Sequence, residues 1–150
     1  MIDRKFLAVC HAAEEQRFAD THPRSAQLAA DARRSLLGGV PMAWMTRWPG
    51  SFPLFFDHAE GARFTDVDGH EYIDFCLGDT GAMTGHGLPQ VAEALARQAS
   101  RGITTMLPST DAAWVGEELT RRFGLPAWQM AMTATDANRF VLRFDRFLTG

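Results

Sequence analysis

The stretch WQMAMTATDANRFVLRFDRFLTG, residues 128–150, decides how the chain is read. It gives a short apolar strand at 128–132, a turn with two threonines and an acid, and then a helix. The helix rests on a stripe: Ala137, Phe140, Val141, Phe144 and Leu148 recur at helical spacing on one face. Thr133 stands at the N-cap with Asp136 three residues on, a capping-box spacing with aspartate in the glutamate place. The first amides of such a helix, around Ala134 and Thr135, have no intrahelical partner. Free amides, a hydroxyl and the positive end of the helix dipole suit a phosphate dianion. The same pattern also serves as a plain helix cap, and spacing alone leaves both readings open.

A lone strand between helices belongs to a mostly parallel α/β sheet, because crossovers place helices on both of its faces. Upstream, a helix is expected from Asp3 to about Ala19, with Asp3 as N-cap and Phe6, Val9 and Ala13 on one face. THPRS at 21–25 interrupts it, since Pro23 disfavours helical backbone at His22. A second helix runs from about Arg24 to Leu37 and stops at Gly38-Gly39. The stretch VPMAWMTRWPGSFP (40–53) has no stable period. Residues 54–77 read as three short strands, with ARFTDVDGHEYIDF alternating on either side of a two-residue hairpin turn at Asp68-Gly69. A glycine-rich loop follows, LGDTGAMTGHGLP (77–89), then helices at about 89–100 and 110–123, the second capped by Ser109 or Thr110 and broken by GLP at 124–126.

Composition narrows the function classes. At 150 residues, 46% hydrophobic and 22% charged, the chain has an ordinary globular make-up. A net charge of −3 gives no footprint for nucleic acid or an anionic membrane, and neither is expected as a partner. FLAVC (6–10) is too short for a signal segment and no run reaches membrane-spanning length, so a cytoplasmic location is the default. Cys10 and Cys76 lie far apart with no CxxC spacing, and no metal site is expected from them. Lys5 is the only lysine among fifteen basic residues.

Four segments, in order, resemble the class III pyridoxal-phosphate-dependent aminotransferases, the fold-type I group that includes glutamate-1-semialdehyde aminomutase. They are DVDGHEYIDF (66–75), TGHGLPQVAEAL (84–95), RGITTMLPST (101–110) and MTATDANRFVLRFDRFLTG (132–150). The resemblance covers about residues 35–150. It implies an α/β fold in which N-terminal helices (1–39) precede a small-domain segment with the hairpin and a connecting helix (40–108). The start of the large cofactor-binding domain follows (109–150). It also implies pyridoxal 5'-phosphate as cofactor, a small-molecule amino donor, a keto or aldehyde acceptor, and a homodimer. The family's Ser-Gly-Thr-Glu-Ala turn corresponds to Thr133, Ala134, Thr135 and Asp136 in the first four places. Thr133, Ala134 and Thr135 are thus the implied phosphate-binding residues. Alanine replaces the family's glycine at 134 and requires a negative φ there, which a helix entry provides.

Such enzymes use a lysine to bond the cofactor aldehyde and relay a proton, and an acid beside the pyridine nitrogen. In the family both follow the Ser-Gly-Thr turn, and Lys5 is far from that place. The expectation is therefore an N-terminal part of a longer enzyme, from a truncated gene, a split gene or a fragment, that does not transaminate alone. An aminomutase, a catalytically inert phosphate-binding or dimerisation module, and an unproductive fragment are the alternatives.

Asp79, Thr80 and Met83 in the glycine-rich loop are candidates for the substrate pocket, because the corresponding family loop reaches the active-site mouth. Arg47 could hold a substrate carboxylate bidentately. DVDGHEYID clusters Asp66, Asp68, His70, Glu71 and Asp74, yet strand alternation and the missing EF-hand glutamate favour a hairpin turn with solvated acids over a metal loop. His86, between glycines, is expected as a structural hydrogen-bonder.

Overall fold

The computed structural model describes residues 3–150, and the chain divides into two compact units after Ser100. In the first unit, Asp3 starts helix α1 (Arg4–Thr21) by accepting from the amides of Lys5 at 2.9 Å and Phe6 at 3.2 Å. Pro23 ends it and opens α2 (Pro23–Ala32), where a fixed φ suits the first helical position. Short 3₁₀ turns follow at Leu37–Gly39 and Ala43–Arg47. Three antiparallel strands, β1 (Phe56–Glu60), β2 (Arg63–Asp66) and β3 (Glu71–Ile73), form one sheet in chain order. A bulge between Phe56 and His58 interrupts the β1–β2 ladder. Phe64 faces Tyr72 across β2–β3 with ring centroids 4.9 Å apart. Helix α3 (Pro89–Ala99) closes the unit, again with proline in its first turn.

The hairpin turn is longer than the alternation predicts. The Asp66 amide donates to the His70 carbonyl and the Gly69 amide to the Asp66 carbonyl, both at 3.0 Å, leaving Val67, Asp68 and Gly69 as a three-residue loop. Gly69 takes φ +91°, the left-handed bulge position that such loops require. The second helix is also shorter than expected: it stops at Ala32, and left-handed Gly38 and Gly39 shape the 3₁₀ turn beyond it. On α1 the stripe stays at the surface, with Phe6 at 68% and Val9 at 67% exposure. What lies buried is small or polar. Among the described residues the buried apolar side chains are Ala29 and Val40, beside His22, Ser25 and Asp66.

The second unit holds α4 (Asp111–Phe123) and α5 (Ala134–Thr149). Neither Ser109 nor Thr110 caps α4 with its hydroxyl; the Ser109 carbonyl accepts from the Ala112 amide at 3.1 Å instead. Gly124 ends the helix with φ +72°, its amide reaching the Thr120 carbonyl at 2.8 Å. Residues 128–132 do not form the expected strand, since a strand needs a ladder partner and none is present among the described residues. Trp128 instead leans on α4, donating to the Thr120 hydroxyl at 3.2 Å with its ring 5.7 Å from that of Phe123. No residue of this unit is buried. The α5 stripe is open, with Phe144 at 64% exposure.

Candidate functional site

The entry to α5 has the backbone geometry expected of it. Thr133 is extended (φ −143°, ψ 158°) and its hydroxyl oxygen accepts from the Asp136 amide at 3.1 Å. The same hydroxyl donates to the Asp136 carboxylate at 3.1 Å, and the Thr133 carbonyl accepts from the Ala137 amide. Those bonds occupy Thr133, Asp136 and the Ala137 amide. Among the described residues nothing engages the amides of Ala134 and Thr135. Ala134 is helical, so the alanine is accommodated without a left-handed backbone. Two amides and the Thr135 hydroxyl thus stand at the positive end of a 16-residue helix, donors of the kind an anion can accept from.

In the first unit, the loop bearing Asp79, Thr80 and Met83 is fastened at both ends. The Asp74 carboxylate accepts from the amides of Cys76 at 2.9 Å and Leu77 at 2.8 Å, while its other oxygen meets His86 Nε2 at 2.6 Å. His86 also exchanges backbone hydrogen bonds with Gly61, at 2.8 and 3.0 Å. The His86 hydrogen bond comes first in holding the Asp74 carboxyl below its usual range, followed by the Leu77 amide. His86 is structural, as expected. Gly85 permits the closure: a Cβ there would lie 3.3 Å from the Gly61 Cα, and its φ is +97°. Between the fastenings, Leu77, Asp79 and Thr80 all have left-handed backbones, at φ 53°, 52° and 75°. Strain of that kind, about 1 kcal/mol or more per residue, persists only where the surroundings enforce it. Asp79, Thr80 and Met83 are exposed. Arg47 is exposed at the end of its 3₁₀ turn, with no ion pair among the described residues.

The acids of DVDGHEYID are not all solvated. Asp66 is 1% exposed. One of its oxygens accepts from the Asp68 and His70 amides, each at 2.9 Å. The other accepts from the Tyr72 hydroxyl at 2.9 Å and lies 3.2 Å from His70 Nδ1. Burial alone would raise the Asp66 carboxyl, but the His70 amide, the Tyr72 hydroxyl, the His70 ring and the Asp68 amide together hold it below its usual range. Burial and the adjacent Asp66 carboxylate push the Tyr72 hydroxyl up to about 12. Asp68 reaches back along the chain and caps α2, accepting from the amides of Arg24 at 2.7 Å and Ser25 at 3.0 Å. His22 completes the cluster, with Nε2 2.8 Å from the Tyr72 hydroxyl. His22, Asp66 and His70 bring metal-ligand atoms within 4.8 Å of one another. Sequence spacing missed this group because His22 sits on another element; the only signal was the density of ionisable residues at 66–74.

No helix is long and apolar enough to cross a membrane among the described residues. The chain matches the family model for class III aminotransferases over residues 44–148. A glutamate-1-semialdehyde 2,1-aminomutase from Methanocella arvoryzae is 35% identical over 84% of this chain. A solved glutamate-1-semialdehyde-aminomutase from Pseudomonas aeruginosa is 55% identical and superposes with a TM-score of 0.91 over 98% of this chain. A β-phenylalanine aminotransferase from Variovorax paradoxus gives 0.81 at 25% identity over 89%. The chain spans 29% of the Methanocella protein, 32% of the Pseudomonas one and 31% of the Variovorax one. These are fold-type I enzymes, so the α/β expectation holds for the architecture of which the N-terminal helices, the small antiparallel sheet and the α4–α5 segment are a part. The chain belongs to the class III aminotransferases.

Proposed function

We propose that the protein carrying this chain uses pyridoxal 5'-phosphate to move an amino group from an amino acid or amine to a keto acid or aldehyde. The observation that carries the reading is the 55% identity and 0.91 TM-score to the Pseudomonas protein, a lysine-to-alanine variant of which was solved in complex with PMP. The free amides of Ala134 and Thr135 and the Thr135 hydroxyl fit the phosphate of that cofactor. In this reading Thr133 shapes the turn, its hydroxyl held by Asp136. Bound cofactor supplies an aldehyde that accepts the amino group and a ring that withdraws electrons from the substrate carbon. Arg47 pairs with a substrate carboxylate, and Asp79, Thr80 and Met83 line the mouth of the pocket. Lys5 is the only lysine here, so the amine that holds the aldehyde comes from polypeptide outside these 150 residues. A cytoplasmic homodimer and the division at 39/40 and 108/109 belong to the same reading.

The names of the Methanocella and Pseudomonas proteins favour a second reading, in which the amino group moves within one molecule. Assay of the protein, expressed with its complete native coding sequence, separates the two: intermolecular transfer requires an added keto acid, and intramolecular transfer does not. In the same protein Thr135→Val is expected to weaken cofactor binding about tenfold or more, the loss of one charge-assisted hydrogen bond. Unchanged cofactor affinity would remove the phosphate assignment.

A further inference from the structure

We infer that His22, Asp66 and His70 form a binding site for one divalent transition-metal ion of the zinc class, which fastens the α1–α2 junction to the β2–β3 hairpin. The inference does not rest on the proposed function.

The protons are the first argument. His22 Nδ1 lies 2.7 Å from the Phe18 carbonyl and 3.0 Å from the Thr21 hydroxyl, whose own proton points at the Arg17 carbonyl at 2.8 Å. Nδ1 therefore carries the hydrogen, and in the neutral ring Nε2 offers a lone pair. That lone pair faces Tyr72 Oη at 2.8 Å and Asp66 Oδ2 at 3.4 Å. The single Tyr72 proton is directed at Asp66. Two oxygens and a nitrogen thus converge within 2.8–3.4 Å of one another, a donor set that a cation can share. An N–H fixed on a backbone carbonyl is also the usual outer partner of a metal-ligating imidazole.

Distances are the second. Asp66 Oδ2 is 3.4 Å from His22 Nε2 and 3.2 Å from His70 Nδ1. Zinc–nitrogen and zinc–oxygen bonds of about 2.0–2.2 Å give a tetrahedral edge of about 3.3–3.5 Å. These two edges fit with little adjustment, the His22–His70 edge lies within 4.8 Å and closes when the ion binds, and a water completes four-coordination. Two imidazoles with one carboxylate suit zinc-class ions, whereas calcium and magnesium take oxygen donors.

Access is the third. Asp66 and His22 are buried while His70 sits half-exposed at the rim. A pocket of about 350 Å³ opens onto both imidazoles, with Glu14 and Arg17 at its edge. Arg17 is paired with Glu14, so its positive charge is offset where an ion enters.

The test uses the protein expressed with its complete native coding sequence, stripped with a chelator and titrated with Zn²⁺ by calorimetry and with Co²⁺ by visible absorption. One ion per chain and the intense bands of tetrahedral cobalt are expected. His22→Asn and His70→Asn each lower the affinity about tenfold or more, and His58→Asn, at an exposed histidine beside Asp57, leaves it unchanged. Should His22→Asn fail to fold, His70→Asn at the rim decides. The inference is overturned by absence of stoichiometric binding or by equal binding in the His70 variant. It is equally overturned by nitrogen resonances showing His22 doubly protonated in metal-saturated protein, since a proton would then fill the place assigned to the ion.

Discussion

The α1–α2–hairpin region and the α4–α5 region differ in what organises them. In the first, segments far apart in sequence are tied by polar side chains: Asp68 caps a helix 43 and 44 residues earlier, and Tyr72 meets His22 across 50. In the second, the hydrogen bonds at the α4 and α5 ends are local, from Gly124 to Thr120 and from Asp136 to Thr133, and the apolar stripe of α5 faces outward. A sparse apolar interior can still hold distant segments together when every buried polar group has a partner, and no buried side-chain polar atom lacks one among the described residues. Capped helices without burial retain their form only through local bonds, which are individually weak.

That contrast can be broken at its strongest point first. Asp66→Ala removes the acceptor for the Asp68 and His70 amides and the Tyr72 hydroxyl in a buried place, and is expected to lower unfolding free energy by about 3 kcal/mol or more, read from the denaturant midpoint. Acid should produce a related loss. Asp66, Asp68 and Asp74 all have carboxyls held below the ordinary 3.8 when folded, so their contribution is present above that value and lost as pH falls through the lowered ones. A titration below about pH 4 is expected to lose the near-ultraviolet signal of the hairpin while helicity persists. Asp68→Ala comes next, at about 1 kcal/mol for a lost cap, and it should loosen the hairpin as well as α2 because the bond is long-range. Thr133→Ala is expected to have the smallest effect, about 0.5–1 kcal/mol confined to the first turn of α5, with hairpin amide exchange unchanged. If Thr133→Ala and Asp68→Ala spread equally far, the distinction between the regions fails.

How much the sequence disclosed follows the same line. Caps and breaks that depend on neighbours in the chain were legible: Asp3 at the start of α1, Pro23 between α1 and α2, Gly124 after α4, Thr133 before α5. The three strands were legible from alternation. What depends on distant partners was not. Nothing local marks Asp68 as the cap of α2, or Asp66 as buried, because alternation alone assigns faces and not what covers them. The strand expected at 128–132 failed for the converse reason, since apolar composition states a preference that only a ladder partner realises. At the candidate phosphate site the turn was legible, but not that the Thr133 hydroxyl would be held by Asp136.

The Asp74–His86 fastening has a consequence for how this scaffold can diversify. Because residues 75–84 leave and re-enter the fold at one clasp, their length and composition can be exchanged while the sheet beneath keeps its register. The loop is in effect an interchangeable cassette. Chimaeras that swap it between both anchors should retain the parent sheet, whereas swaps that cut through either anchor should not.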